Sequence, residues 1–498
     1  MGTGKDSQGT LVAHFEVVRR SAVSRSRKVD LRHAVPTRDW FGSGRNRQAL
    51  FLLRVFAGAI ICALLLISGC EQPVSQPVPH SIPSAPKTSH STIFPLVQHA
   101  DQRCLVDQTG RPFLFHGDAA WSLIAQLSRE DADRYLDDRL KRGFNTLLVN
   151  LLEHHFSRKP PANYYGDAPL DTPGDFAAPN ETYFSHADWL LRRAAERGFL
   201  ILLAPAYLGY DGGEEGWYKE VSKAGPEKMR MYGRYLGLRY RLMKNLVWVH
   251  GGDFNPPDRV SMLALMEGIR EMDPGALHSF HGARGTTARD FLGTEHSWLA
   301  LNTVYTNEKT VVAVSRREYH LSPLPFVFIE GQYENAGADE RVIRAQAYQA
   351  MLSGACGQVM GNKPVWMFDP DWVRSLDSPG SRSMTILRTI MEKYSWFDLR
   401  PAPEKFVSAG QGHGGQSVAA GISEDGRLAL VYVPDERQIV VDGKFFGASR
   451  AEARWVDPAT GNSSLASSIS IGNMAEVGFD TPPKRKAGRN DWLLVLRR

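Results

Sequence analysis

Cysteine is scarce in this chain, which has four among 498 residues: Cys62, Cys70, Cys104 and Cys356. They form no CxxC pair and show no cysteine–histidine spacing of the kind that binds zinc. Cys62 and Cys70 belong to an apolar N-terminal segment. Cys104 and Cys356 could pair in an exported protein, but we favour two buried free thiols. We therefore predict no metal and no cofactor.

Most of the chain carries no excess of basic residues over acidic ones. The formal net charge is +5, but residues 1–54 are rich in arginine and the remainder is close to neutral. We therefore do not infer nucleic-acid binding from the charge. The length is too great for a single ordinary domain and favours two domains, or one large barrel plus a further module.

The strongest apolar run, residues 55–67, is too short to favour a membrane-spanning helix. It follows Arg45, Arg47 and Arg54 and ends in Ile67-Ser68-Gly69-Cys70, which resembles a bacterial lipobox. We predict a cell-envelope lipoprotein, periplasmic or on the cell surface, held to the membrane by a lipid on Cys70. An uncleaved membrane anchor is the alternative. Residues 1–70 are thus an extension with a signal segment, and the Pro/Ser-rich residues 71–98 are a tether.

Short apolar runs alternate with helical patterns over residues 99–397, which predicts a (β/α)₈ barrel. The predicted strands are 113–121, 145–152, 199–208, 246–253, 277–281, 300–305, 326–330 and 358–366. One predicted helix follows Ser128, and four more cover residues 185–197, 226–244, 259–272 and 339–353. The connection between the fifth and sixth strands is irregular. Residues 398–498 contain short strands between turn residues and predict a β-sandwich packed on the barrel.

Polar and aromatic residues follow nearly every predicted strand, where a barrel enzyme carries its active site. The candidate substrate-binding residues are His116, Asp118, Trp121, Asn150, His154, Tyr207, Asn255, His281, Asn302, Tyr305, Gln332 and Trp366. For Asp118 and Trp121, a hydrogen-bond network of the first strand is the alternative. His250 is predicted to be a core histidine. Loop 209–216 is predicted to be a mobile loop at the cleft, whose acids are expected to be solvated and not catalytic.

Two carboxylates follow apolar strands directly. Asp253 ends LVWVHGGDFNP on strand four, and Glu330 ends LPFVFIE on strand seven. These positions face each other across a barrel mouth, and glycoside hydrolysis needs such a pair. Tyr305 or Asn302 is expected to hold Glu330 ionised.

Residues 110–153 resemble the opening of the apiosidase-like barrel family, glycoside hydrolase family 140, and LVWVHGGDFNP and FVFIEGQYEN resemble two of its strand motifs. The resemblance, over about residues 99–395, implies a retaining glycoside hydrolase with Glu330 as nucleophile and Asp253 as acid/base. It implies a carbohydrate substrate. The segments GHGGQSVAAG and EARWVDPATG resemble a small domain labelled collagen-binding. The alternative function is a non-catalytic surface lipoprotein that binds glycans.

Overall fold

The computed structural model describes residues 92–99, 103–293, 297–446, 451–469, 476–483 and 490–498. The predicted signal segment, its Cys62 and Cys70, and residues 71–91 of the tether lie outside these ranges. No helix in the described ranges is long and apolar enough to cross a membrane.

Eight parallel strands form a barrel, which confirms the predicted fold class. A small antiparallel sheet of β1 (Val97–Gln98) and β2 (Leu105–Val106) precedes it. The barrel strands are β3 (Phe115–Ala119), β4 (Thr146–Asn150), β5 (Leu200–Ala204), β6 (Leu246–Gly251), β7 (Leu277–His281), β8 (Asn302–Tyr305), β9 (Phe326–Glu330) and β10 (Gly357–Met360). Their hydrogen-bonded order is β7-β6-β5-β4-β3-β10-β9-β8.

The barrel closes between β7 and β8 through side chains more than through a backbone ladder. One isolated parallel bridge joins His278 to Leu299. The Ser279 hydroxyl donates to the Leu301 carbonyl at 2.7 Å, and the Thr303 hydroxyl donates to the Phe280 carbonyl at 2.5 Å. This seam is the connection that the sequence marks as irregular. Hydroxyl side chains there satisfy carbonyl groups that a regular ladder would otherwise pair.

Helices cover the outside of the barrel. They are α1 (Leu123–Gln126), α2 (Arg129–Lys141), α3 (Glu181–Glu196), α4 (Tyr218–Tyr240), α5 (Val260–Met272), α6 (Ala288–Leu292), α7 (Val311–Leu321), α8 (Glu340–Leu352), α9 (Lys363–Trp366), α10 (Trp372–Ser375) and α11 (Pro379–Lys393). Ser128 caps α2 and Asp339 caps α8, each by accepting a hydrogen bond from a backbone N–H of the first turn.

Most predicted elements differ from the observed ones by a few residues at their ends, and three of these differences have a clear cause. The eighth strand ends at Met360 instead of Trp366, because the short helix α9 begins at Lys363, with Pro364 in its first turn. Helix α3 begins at Glu181, because the Asn180 side chain caps it there. Helix α4 begins at Tyr218, ahead of Pro226, and is kinked at Gly225, which has a φ of 76°.

The C-terminal residues form antiparallel sheets. Their strands are β11 (Leu399–Pro401), β12 (Val407–Ala409), β13 (Ala419–Ser423), β14 (Leu428–Val433), β15 (Gln438–Val441), β16 (Ala451–Val456), β17 (Ser463–Ile469), β18 (Val477–Asp480) and β19 (Trp492–Arg497). A six-stranded sheet in the order β11-β13-β14-β19-β16-β17 accompanies a three-stranded sheet in the order β12-β15-β18. A separate apolar core fills this β domain, which contacts the barrel at helix α8.

Candidate active site

Asp253 stands on a backbone bend that brings it to the barrel mouth. Strand β6 ends at Gly251, and three consecutive residues then have positive φ: 84° at Gly251, 117° at Gly252 and 48° at Asp253. A side chain at Gly252 would overlap the ring of Tyr207, because its Cβ would lie 2.3 Å from that ring. The glycines therefore allow a close approach that larger residues would prevent. The strained backbone at Asp253 is typical of a functional position.

Glu330 ends strand β9 and is only 7% exposed. Its Oε2 lies 2.7 Å from His281 Nε2, and His281 itself is fully buried at the end of β7. The Nδ1 atom of His281 lies 3.0 Å from the Gly282 carbonyl and 3.3 Å from the backbone nitrogen of Asp253. His281 therefore touches both carboxylate-bearing segments.

The two carboxylates approach each other closely. One oxygen of Asp253, one oxygen of Glu330 and one ring nitrogen of His281 all lie within 4.8 Å of one another. These three side chains are also the candidate metal ligands among the described residues. The short contact between His281 and Glu330 occupies one potential ligand atom of each, so the geometry favours a hydrogen-bonded proton-transfer site.

The electrostatics of the pair follow from its burial. Burial and the Asp253 carboxylate raise the pKa of Glu330, while hydrogen bonds from His281 and Tyr333 oppose that rise. Burial lowers the pKa of His281, but its hydrogen bond to Glu330 and the carboxylate charges outweigh burial and raise it. The imidazole thus tends to keep its proton and offer it to Glu330.

Tyr207 holds Asp253 in place. Its hydroxyl donates to Asp253 Oδ2 at 2.7 Å. Burial and the neighbouring carboxylate raise the pKa of Tyr207 well above its usual value, so the phenol remains a donor. The other oxygen of Asp253, Oδ1, has no hydrogen-bond partner among the described residues. That oxygen is buried and unpaired, so its capacity to accept a hydrogen bond is unused.

A cavity of about 340 Å³ opens above the two carboxylates. Seven of its fifteen lining residues are aromatic, which suits the C–H faces of a sugar. Besides the carboxylates, it is lined by Trp121, Asn150, Phe156, Tyr207, Tyr210, Glu215, Arg284, Tyr305, Gly331, Gln332, Tyr333, Ala336 and Trp366. The buried amide oxygens of Asn150 and Gln332 have no partner within the described ranges. Both can accept hydrogen bonds from a ligand.

The structure brings together about half of the residues that the sequence suggests for substrate binding. Those that line the cavity are Trp121, Asn150, Tyr207, Tyr305, Gln332 and Trp366. The Tyr305 hydroxyl accepts hydrogen bonds from Arg284 at 3.0 and 3.2 Å. His281 lies beneath the carboxylates instead of lining the cavity, so its contacts are with protein groups.

His116 and Asp118 do not line the cavity, contrary to expectation. On β3, Phe115 and Ala119 belong to the core inside the barrel, so the alternate residues point to the helices. The Tyr135 hydroxyl donates to Asp118 at 2.7 Å, and Arg139 lies 3.4 Å away. The ring of His116 stacks on Phe144. Asp118 therefore belongs to the hydrogen-bond network that was the alternative interpretation.

Three further candidates also lie outside the cavity wall: Asn302, Asn255 and His154. Asn302 donates to Glu318 at 3.0 Å on the helical side of β8, so it does not support Glu330. Asn255 accepts from the backbone of Ala283 at 3.0 Å and so braces a neighbouring loop.

His154 lines a second cleft and lies 3.4 Å from Glu220. His250 is buried and its Nε2 lies 3.0 Å from His278 Nδ1, as expected for a core histidine.

Sequence reasoning missed several residues that loops carry into the cavity, among them Phe156, Tyr210, Glu215 and Arg284. Glu215 was expected to be solvated, yet it belongs to the cavity wall. Tyr333 also lines the cavity, and its position three residues after the end of strand β9 indicated this in the sequence. Its hydroxyl accepts from the Trp121 indole N–H at 3.0 Å.

A parallel barrel with two facing carboxylates at the carboxyl ends of its strands has the architecture of a glycoside hydrolase. The family profile described as "Apiosidase-like, catalytic domain" matches residues 99–398, so the chain belongs to this apiosidase-like family and is a glycoside hydrolase. A second profile, "Putative collagen-binding domain of a collagenase", matches residues 401–497.

Solved structures share the fold. A structure titled "Glycoside hydrolase" has a TM-score of 0.72 at 21% identity, covering 82% of this chain and 98% of that one. A family 5 glycoside hydrolase from Bacteroides vulgatus has a TM-score of 0.71 at 21% identity, covering 82% of this chain and 95% of its own. Among curated proteins, no relative matches the chain.

Proposed function

We propose that the protein hydrolyses a glycosidic bond with retention of configuration, with Glu330 as nucleophile and Asp253 as acid/base. The observation that carries this proposal is the approach of the two carboxylates, whose nearest oxygens lie within 4.8 Å. Retaining enzymes place their carboxyl groups roughly 5–5.5 Å apart, whereas inverting enzymes leave about 6.5–9.5 Å for a water molecule.

In the first step, Glu330 attacks the anomeric carbon while Asp253 protonates the departing glycosidic oxygen. A covalent bond then joins the sugar to Glu330. In the second step, Asp253 takes a proton from water, which attacks the same carbon and releases the sugar. Asp253 lines the same cavity as Glu330, which supports its role as the group that exchanges this proton.

His281 takes the supporting role that the sequence suggested for Tyr305 or Asn302. A nucleophile must be ionised, yet burial and Asp253 raise the pKa of Glu330. The hydrogen bond from His281, at 2.7 Å, opposes this rise and holds the attacking carboxylate in its charged form. Tyr333 assists in the same direction.

The substrate that we propose is an oligosaccharide or polysaccharide, with apiosidase-like specificity as the working hypothesis. The aromatic wall and the unpaired amide oxygens of Asn150 and Gln332 support sugar binding. A screen of the purified protein on aryl glycosides and branched pectic oligosaccharides tests this proposal. Proton NMR of the first product should show the anomer of the substrate. Inverted product would contradict the retaining mechanism, and binding without hydrolysis would favour a glycan-binding protein.

The pH dependence should change when His281 is replaced. In His281→Phe, loss of the hydrogen bond and of the neighbouring positive charge leaves the pKa of Glu330 higher than in the wild type. Because Glu330 must be ionised, the acid limb of the kcat/KM profile should move to higher pH. His250→Phe is the control, since His250 is buried away from the carboxylates. An unmoved acid limb in His281→Phe would contradict the role of His281.

We also propose that the chain is exported and attached to a membrane through Cys70. In a bacterial host, Cys70→Ala should move the protein from the membrane fraction to the soluble fraction. The lipobox-like Ile67-Ser68-Gly69-Cys70 motivates this expectation. A Cys70→Ala variant that stays with the membrane would instead indicate an uncleaved anchor.

A further inference from the structure

The Gln346 side chain of helix α8 forms two hydrogen bonds with the backbone just after Glu330. The Gln332 backbone N–H donates to Gln346 Oε1 at 2.9 Å, and Gln346 Nε2 donates to the Gln332 carbonyl at 2.8 Å. The Gln346 side chain is 2% exposed and does not line the cavity. One amide therefore fixes both backbone hydrogen-bonding groups of the residue that lies two positions after the proposed nucleophile.

The absence of a side chain at Gly331 allows the Gln346 amide to approach this backbone closely. A Cβ at this position would lie 2.6 Å from Gln346 Oε1 and 2.5 Å from the ring of Phe328. The backbone between Glu330 and Gln332 thus packs directly on the amide and on the barrel wall. Little space is left for the Glu330 segment to shift while Gln346 is in place.

Helix α8 also contacts the β domain. Arg344 donates two hydrogen bonds to Asp491, at 2.9 and 2.8 Å, and both side chains are buried. The Tyr432 hydroxyl donates to Asp491 at 2.9 Å, and the ring of Tyr432 stacks on Tyr348 at 5.0 Å. The β domain therefore holds the same helix that carries Gln346.

We propose that Gln346 is a positioning residue for Glu330, and that the β domain, through Asp491, fixes the helix that carries it. The inference rests on the proposed role of Glu330. Catalysis depends on reacting atoms held at near-attack distances, and a misplacement of about 1 Å can cost roughly 100-fold in rate. The β domain then helps to position the nucleophile, although none of its described residues lines the cavity.

Gln346→Met tests the first half of the proposal, because it keeps the length of the side chain and removes both hydrogen bonds. We expect kcat to fall about 10- to 100-fold, with a smaller change in KM because the substitution removes no side chain from the cavity wall. Asn145→Leu is a matched control. Asn145 also bonds two backbone groups, at His116 and Leu114, but at the opposite end of the barrel. It should lower Tm comparably and leave kcat unchanged.

Gln346→Glu adds a graded comparison, since its carboxylate can accept from Gln332 N–H but cannot donate to the carbonyl. Its kcat should lie between those of the wild type and Gln346→Met. A wild-type kcat in Gln346→Met, or an equal kcat loss in Asn145→Leu, would overturn the positioning role.

Asp491→Asn tests the second half. We expect a several-fold loss of kcat well below the melting temperature. Asp118→Asn is its control, because Asp118 likewise meets a buried arginine and a tyrosine hydroxyl, at Arg139 and Tyr135. Asp491→Asn with lowered Tm but unchanged kcat would overturn the role of the β domain. Activity in a Glu330 variant would instead refute the proposed function, so the two failures can be distinguished.

Discussion

Glu330→Ala should abolish turnover, with kcat reduced by about 10⁴-fold or more. The proposed nucleophile forms the bond to the anomeric carbon, and no other carboxylate in the cavity lies in its place at the end of β9. Asp253 cannot substitute, because Tyr207 holds it on the opposite segment. The measurement is steady-state hydrolysis of the glycoside that the substrate screen identifies.

Azide should partly restore the activity of Glu330→Ala and yield a glycosyl azide of inverted configuration. The small anion enters the space vacated by the carboxylate and attacks the anomeric carbon. This single displacement inverts the configuration of that carbon. Glu334→Gln is the matched control on the same loop. Glu334 is a buried glutamate that accepts hydrogen bonds from Ser378 and the Gly380 backbone, so its role is structural. Glu330→Ala with substantial turnover, or Glu334→Gln equally inactive, would refute the assignment of the nucleophile.

Asp253→Asn should slow hydrolysis of natural glycosides by about 10²- to 10⁴-fold, which is the usual contribution of a general acid or base. Asparagine is the suitable replacement because the residue has a φ of 48°, a conformation that asparagine tolerates better than alanine. Its amide oxygen can still accept from Tyr207.

Aryl glycosides with good leaving groups should form the covalent intermediate at nearly the normal rate in Asp253→Asn, because such leaving groups need little protonation. Release of the phenol should then show a burst, since the second step still lacks its base. Asp258→Asn, on the same loop but outside the cavity wall, is the control. Equal losses on natural and activated substrates would exclude Asp253 as the proton donor.

The sequence predicts the barrel well because its strands are buried on both faces and its helices begin at capping residues. Two of the eight predicted strands, 277–281 and 326–330, have the same bounds in the structure. The final predicted strand was too long, because apolar composition does not distinguish a strand from the short helix that begins at Lys363.

The side chains at the strand ends were harder to predict. Successive side chains of a strand point alternately into the barrel and towards the helices, so an error of one position reverses the prediction. Trp121 points into the cavity, whereas His116 and Asp118 point to the helices. Counting in steps of two from the inward-facing Ala119 would have separated these residues. Asn302 was misassigned for the same reason.

Apart from the cleft loop 209–216, the loop contributions could not be predicted from the sequence. Arg284 and Phe156 reach the cavity only because their loops fold over the barrel mouth, and loop conformation leaves no periodic signal. The Gln346 contact is equally hidden, since it joins a helix to a backbone segment 14 positions earlier. Its pattern in the sequence is that of any amphipathic helix.

Trapping of the covalent intermediate tests the central claim most directly. The wild-type protein would be incubated with an activated 2-deoxy-2-fluoro glycoside of the sugar found in the screen, and then digested for peptide mass spectrometry. We predict a mass increase of one fluorosugar on the peptide that contains Glu330, and none in Glu330→Gln. A label on another residue, or hydrolysis with inversion and no labelled peptide, would contradict the account.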